Sequence, residues 1–390
     1  MLDVPGVTKE QIMERTRALV PKFFERAAAA EESRQMPRQS VEEMLDAGFA
    51  RILLPTRIGG YGLGFDTWFD VMRELSKADA SHGWCAGLVI HHAHLIAQYL
   101  DAGQRTLWDK TLDVAVAASF APVAQAVPVE GGYRLTSKGS TFASGVDHSA
   151  WIMLGAMTHS GQQPDWKFFL LPSRECNIVD TWHTAGMRGT GSKTVVTDDI
   201  FVPESLVLSL AELRDGKTPG SALYSDVIFH TPFFYYAPIS FATPMLGAVQ
   251  GAYEHFREWT KTRKAPDGSL IAAKPSIQMQ MARAAADIDA AEMLLRRAVN
   301  VTQTPDSYSP ELLARSVRDF ARVSEMTVSA IDTIISLSGT AGFATSHPIQ
   351  RAWRDIHFMS MHISVNTEMN FTHYGRMELG LGRDASRPYF

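Results

Sequence analysis

The chain has 390 residues, 45% apolar and 20% charged, with 37 Lys and Arg against 42 Asp and Glu, a net charge of −5. It is long enough to bury a core without disulfide or metal staples and spans roughly two to three domains. It has no strongly basic domain for nucleic acid, and no apolar run long enough to cross a membrane.

The N-terminus is charged throughout, without the apolar centre of a secretory leader. Cys85 and Cys176 make no CxxC or knuckle spacing, so neither zinc nor a disulfide framework is expected. A cytoplasmic location follows as the expectation. Helical spacing of Ile12, Thr16, Leu19, Val20 and Phe23 predicts a helix over 7–35. A second helix runs from Val41 to Ala47 and stops at Gly48. RILLPTRIGGYGLGFDTW carries glycines but no GxGxxG, and Pro55 interrupts its apolar run, so it reads as a loop. Helical patterning resumes over 66–78 and 82–100, closing an N-terminal helical domain at 1–113.

From Val114 the pattern changes to VAVAASF, AVPV, GYRLTSKG, WIMLGAMT, KFFLLP, NIVDTWHT and TVVTDDIFVP, short runs separated by turn signals at 130–132 and 160–165. This predicts a middle β domain, a barrel or sandwich, over 114–208, followed by a linker at 209–237. Four long amphipathic stretches over 238–390 predict an up-down four-helix bundle, the last of them HPIQRAWRDIHFMSMHISVNTEMNFTHYGRMELG. The fold class expected is α+β, mostly α.

Helices, then strands, then a bundle resemble the acyl-CoA dehydrogenase fold. LLPTRIGGYGLGF, GGYRLTSKGSTFASGVDHSAWIMLGA, AGMRGTGSKTVVTDDIFVP and LSGTAGFATSHPIQRAWRD are each similar to segments of that superfamily. The departures are informative. Dehydrogenases of this fold need a carboxylate base to remove the proton α to a thioester. One branch places it nine residues after the Arg of Arg-Asp, which here is Ile363; the other places it near Ala237, in a stretch without an acid. SHGWCAGLVIHHAHL, FASGVDHSAW and RDIHFMSMH instead resemble the flavin-dependent monooxygenase branch, the oxygenase components of two-component aromatic hydroxylases.

That resemblance implies a set of site residues. His362 takes a catalytic position beside the lost base, and with an ordinary pKa near 6.5 it could give or take a proton at neutral pH. It is expected on a helix, with His357 facing elsewhere and His373 as a weaker alternative. Ser144 would stand beside flavin N5. His92 would be a polar group on the substrate side, with His91 and His94 as packing; three clustered histidines without an acid do not make a zinc site, and no metal is expected. Arg263, Thr190, Ser192, Gly339 and Gly342 would hold the cofactor, and Trp84, Phe142 and Trp151 would line an aromatic pocket. Without family context, each of these residues reads equally as core, turn or surface.

The function implied is a monooxygenase that receives reduced flavin, FMNH2 or FADH2, from a separate NAD(P)H-flavin reductase. It would react the flavin with O2 to a C4a-hydroperoxide and hydroxylate a small aromatic, phenolic or indole-like substrate. The resemblance also implies a homotetramer. A dehydrogenase with a displaced base and a catalytically silent ligand-binding protein are the alternatives.

Overall fold

The computed structural model describes residues 6–160 and 163–384. The N-terminal part holds α1 (Lys9–Ser33), α2 (Arg38–Asp46), α3 (Phe65–Ala78), α4 (Ala80–Ile96) and α5 (Asp101–Leu107). Thr8 and Gln11 close a capping box at the start of α1. The glycine-containing segment between α2 and α3 is a loop with two short 3-10 turns. α4 is buried at every position but Trp84. A helix apolar all round belongs in the centre of a molecule, and α4 packs against α3, β1 and the bundle.

The middle strands are β1 (Val116–Val129), β2 (Gly132–Ala143), β3 (Trp151–Ser160), β4 (Gln163–Pro172), β5 (Asn177–Val179), β6 (Lys193–Pro203) and β7 (Val207–Ser209). They form one hydrogen-bonded sheet in the order β5-β6-β2-β1-β3-β4-β7. β1 and β3 are parallel and the other pairs antiparallel. VAVAASF and AVPV belong to a single strand, β1, whose register shifts between Ser119 and Ala124. The unpaired residues of such a shift bend a strand while its pairing continues on either side. Residues 161–162 of the expected turn at 160–165 lie outside the described residues.

The segment expected as a linker is structured. It contains α6 (Leu210–Asp215), α7 (Pro219–Leu223) and α8 (Phe233–Tyr236), with Ser209 and Thr218 as side-chain caps. Phe229, Phe233 and Tyr236 are buried in ring contact with the histidines of α4. Burial of these aromatics draws the segment onto the core.

α9 (Ile239–Thr260), α10 (Pro275–Val301) and α11 (Pro310–Gly342) are the first three bundle helices. The fourth stretch is broken into α12 (Pro348–Met359) and α13 (Thr367–Glu378). Between them, His362 caps a 3-10 turn over Ile363–Val365, and Asn366 caps α13 by accepting from the Met369 N–H. Two side chains satisfying nearby backbone donors compete with helix continuation, which the apolar periodicity does not reveal. His362 therefore lies beyond the end of α12, off the helix expected for it. No helix among the described residues is long and apolar enough to cross a membrane.

Candidate active site

β2 ends in a sharp turn. Phe142 adopts φ +65° and Gly145 φ +71°, and a left-handed conformation at a non-glycine costs about 1–2 kcal/mol. The turn leaves Ser144 at the junction of α4, β2 and the loop over Gly186–Ser192. Trp84 Nε1 donates to Ser144 Oγ at 3.2 Å. Ser144 Oγ lies 2.7 Å from Ser192 Oγ, and Ser192 Oγ lies 2.6 Å from Thr190 Oγ1. Thr190 Oγ1 donates to the Met187 carbonyl at 2.8 Å.

The loop that carries Thr190 and Ser192 is held from behind. Met187 and Gly191 both have φ +54°. A Cβ on Gly186 would lie 2.4 Å from the Arg354 carbonyl oxygen, so only glycine lets the loop sit this close to α12. Asp355 Oδ1 accepts from the Met187 N–H at 2.6 Å. Burial, and then Asp79, push the Asp355 carboxyl up to about 7, against the pull of the Met187 N–H and of Arg354 and Arg351. Trp182 donates its indole N–H to the same Met187 carbonyl at 3.0 Å.

His362 joins this group through Trp84, whose ring it meets edge-on at 5.9 Å. Phe241 of α9 stacks on His362 with centroids 3.8 Å apart. His362 Nδ1 accepts from the Ser364 N–H at 3.2 Å, so the neutral ring carries its proton on Nε2. Burial pushes His362 down to about 4. This corrects the expectation of an imidazole poised between states at neutral pH: the ring is neutral there, because an apolar surround disfavours its charged form.

His92 is the opposite tautomer. Its Nδ1 donates to the Val116 carbonyl at 2.5 Å, which leaves a lone pair on a buried, unpartnered Nε2. Burial pushes this ring also down to about 4, against the Val116 carbonyl. Val116 and Ser144 line one small apolar cavity together with Met44, Cys85 and Val89.

The remaining candidates are placed differently. Phe142 does not line a closed pocket: it is 64% exposed, with its ring against Trp182. Trp151 opens β3, paired with Val116 and Pro172 within the sheet. Arg263 donates to the Leu337 and Ser338 carbonyls and stacks on Trp259, forming a second group with the turn of Gly339 and Gly342. Gly339 has φ +63° and kinks α11. His357 bonds to Asp332, and His373 is buried on α13. Three residues of the site escaped the sequence reading. Asp355 stood in the quoted Arg-Asp pair without a role; Phe241 and Trp182 carried no local signal.

A polar edge of hydroxyls, a kinked loop with turned-out backbone and flanking aromatic rings fit a planar tricyclic cofactor with one hydrogen-bonding edge. This site, on helices that enclose a sheet and end in a bundle, defines the acyl-CoA dehydrogenase fold. The family model for the acyl-CoA dehydrogenase N-terminal domain matches residues 7–113, and that for the acyl-CoA dehydrogenase C-terminal domain matches residues 239–367.

Within that fold the chain belongs to the flavin-dependent monooxygenases, as an oxygenase component. It is 32% identical to the flavin-dependent monooxygenase oxygenase subunit HsaA of Rhodococcus jostii, over 95% of this chain and 98% of that one. It is 34% identical to the oxygenase component of the FADH(2)-dependent resorcinol hydroxylase of a Rhizobium species, over 97% and 96%. The crystal structure of 3-HSA hydroxylase from a Rhodococcus species superposes with a TM-score of 0.91 at 30% identity, covering 96% of this chain and 98% of that one. XiaF from a Streptomyces species, solved with FADH2 and glycerol, gives 0.87 at 27% identity, covering 97% of each.

Proposed function

We propose that this chain hydroxylates a small phenolic or indole-like aromatic, using flavin reduced by a separate NAD(P)H-dependent reductase and O2 as co-substrate. Reduced flavin, FMNH2 or FADH2, supplies the electrons with which one oxygen atom enters the substrate and the other leaves as water. The observation that carries the reading is the meeting of Ser144, Ser192, Thr190, Trp84 and His362 in one contact chain.

In this reading Ser144 would hold the flavin at N5, with Thr190 and Ser192 behind it. Trp84 and Phe241 would exclude water, which would otherwise divert the reaction to peroxide. His362 keeps a proton at Nε2 and would donate a hydrogen bond into the site beside the flavin. His92, whose Nε2 only accepts, would receive a hydrogen bond from the hydroxyl of a phenol. The two histidines divide the roles of donor and acceptor. Thioester dehydrogenation has no matching base: Ile363 and Ala237 stand at the two carboxylate positions, and Asp355 is bound to the Met187 N–H.

Arg263 holds the backbone before the Gly339–Gly342 turn, which in a homotetramer would meet the cofactor of a neighbouring copy. Exposed Phe343, Met361, Leu379 and Leu381 on the C-terminal helices and their ends are apolar surface for such contacts.

The test is to mix the protein with chemically reduced FMN or FADH2, oxygen and a panel of resorcinol, 4-hydroxyphenylacetate and indole. A hydroxylated product, with oxygen consumption coupled to it, is expected. Peroxide alone across a broad aromatic panel would overturn the reading.

A further inference from the structure

We propose that Thr190 and Ser192 are positioning residues that fix Ser144 as a hydrogen-bond acceptor, so that the site selects reduced over oxidised flavin. The inference rests on the reading that Ser144 faces flavin N5.

The direction of the hydroxyl chain follows from its two ends. At one end the Met187 carbonyl can only accept, so the 2.8 Å contact commits the Thr190 proton to it. Thr190 Oγ1 then takes the Ser192 proton across 2.6 Å, and Ser192 Oγ takes the Ser144 proton across 2.7 Å. At the other end the Trp84 indole can only donate, and it does so to Ser144. Any reversed link would set two protons or two lone pairs against each other. Thr190 is 1% exposed and Ser192 4%, so water has little access to reorient them. Ser144 has therefore spent its proton and keeps one lone pair for a ligand.

That polarity distinguishes the two redox states of a flavin. N5 carries a hydrogen in reduced flavin and donates it; in oxidised flavin N5 has only a lone pair. Ser144 satisfies the first and opposes the second. An unmatched buried acceptor loses the hydrogen bond and also bears its desolvation cost. The anchor of the chain is itself held, because Asp355 fixes the Met187 peptide. An oxygenase supplied by a separate reductase gains directly from this device, since oxidised flavin is released after turnover.

The experiment is anaerobic titration of the protein with oxidised and with dithionite-reduced FMN and FAD, giving a dissociation constant for each state. The parent is expected to prefer reduced flavin by about tenfold or more, the size of one hydrogen bond made against one opposed. Thr190→Val removes the proton sink and lets Ser192 and Ser144 turn over, so the preference should fall severalfold. Thr190→Ser restores the sink and should restore the preference. Ser192→Ala cuts the chain beside Ser144 and should lower the preference as Thr190→Val does; it decides the matter if the valine variant does not fold.

Ser144→Ala distinguishes contact with the flavin from control of the hydroxyl's orientation. If Ser144→Ala leaves both dissociation constants unchanged, Ser144 does not face the flavin and the underlying reading fails. If Ser144→Ala weakens reduced flavin while Thr190→Val and Ser192→Ala keep the parent's preference, the positioning role is overturned.

Discussion

His362 and His92 are both neutral imidazoles at pH 7, yet each holds its proton on a different nitrogen. A backbone N–H on Nδ1 of the one and a carbonyl on Nδ1 of the other decide this. His362→Ala should lower product formation by about 10² to 10³, the range for removing one hydrogen-bond donor aimed at a reacting group. Oxygen consumption should continue as peroxide release, and reduced-flavin affinity should hold. Single-turnover mixing with product analysis checks it; unchanged hydroxylation would move the role to His92 or His373. The same variant loses the cap of the turn after α12, so a stability loss of about 0.5–2 kcal/mol should accompany it. His92→Phe should abolish turnover of phenols more than that of indole, since indole has no hydroxyl to yield.

At the scale of elements, α4 and the Gly186–Ser192 loop show how packing imposes polarity. His91 is fully buried on α4 with both ring nitrogens unpartnered, beside Trp68 and Tyr236. A buried polar group without partners costs about 1–3 kcal/mol. His91→Leu should therefore raise the urea midpoint, by a stability gain of about 1 kcal/mol, with product formation retained. The loop makes the converse prediction. Gly186→Ala would force a Cβ to within 2.4 Å of the Arg354 carbonyl oxygen, and overpacking of this kind costs about 1–3 kcal/mol. The loop should shift away from α12, carrying Thr190 and Ser192 with it, and flavin titration should register weaker binding. The elements themselves were mostly legible. Apolar spacing located α1, α3 and the first three bundle helices, because an amphipathic stripe is a local property, whereas α4 is buried all round and carries no stripe. The break at residues 360–366 was not legible, since HFMSMHISV keeps its apolar rhythm while side-chain caps end the helix.

For the whole molecule, acid should be destabilising. Burial holds His91, His92, His94 and His362 below the ordinary imidazole value, the last three at about 4. Each binds fewer protons in the folded than in the unfolded chain, so folded stability is lost as pH falls from about 6.5 towards 4. Asp355 runs the other way. Raised to about 7 by burial and by Asp79, it keeps a proton that the unfolded chain releases near 3.8. Its contribution grows as pH falls through that window. Four histidines outweigh one carboxyl, and thermal melts should show a midpoint falling between pH 6.5 and 4.5. Asp355→Asn should make that fall steeper. In solution at micromolar concentration, light scattering should give four times the 43.1 kDa of one chain; a monomeric mass would count against the tetramer.

The order of helices, strands and bundle was readable along the chain, and the resemblance to the dehydrogenase branches located the two empty base positions at Ile363 and Ala237. These are readable because periodicity and residue identity belong to the chain in one dimension. The sequence also marked Ser144, Thr190, Ser192 and His362 through their resemblance to a branch of the fold. What they do to one another is set by folding. Residues 84, 144 and 362 lie on separate elements, apart from the loop that carries residues 190 and 192, and only folding puts their hydroxyls and rings within reach. The proton on each histidine, the direction of the hydroxyl chain and the neutrality of His362 depend on a carbonyl, a backbone N–H and the rings of Trp84 and Phe241. Those partners come from distant segments or from a helix break, and no local pattern encodes them.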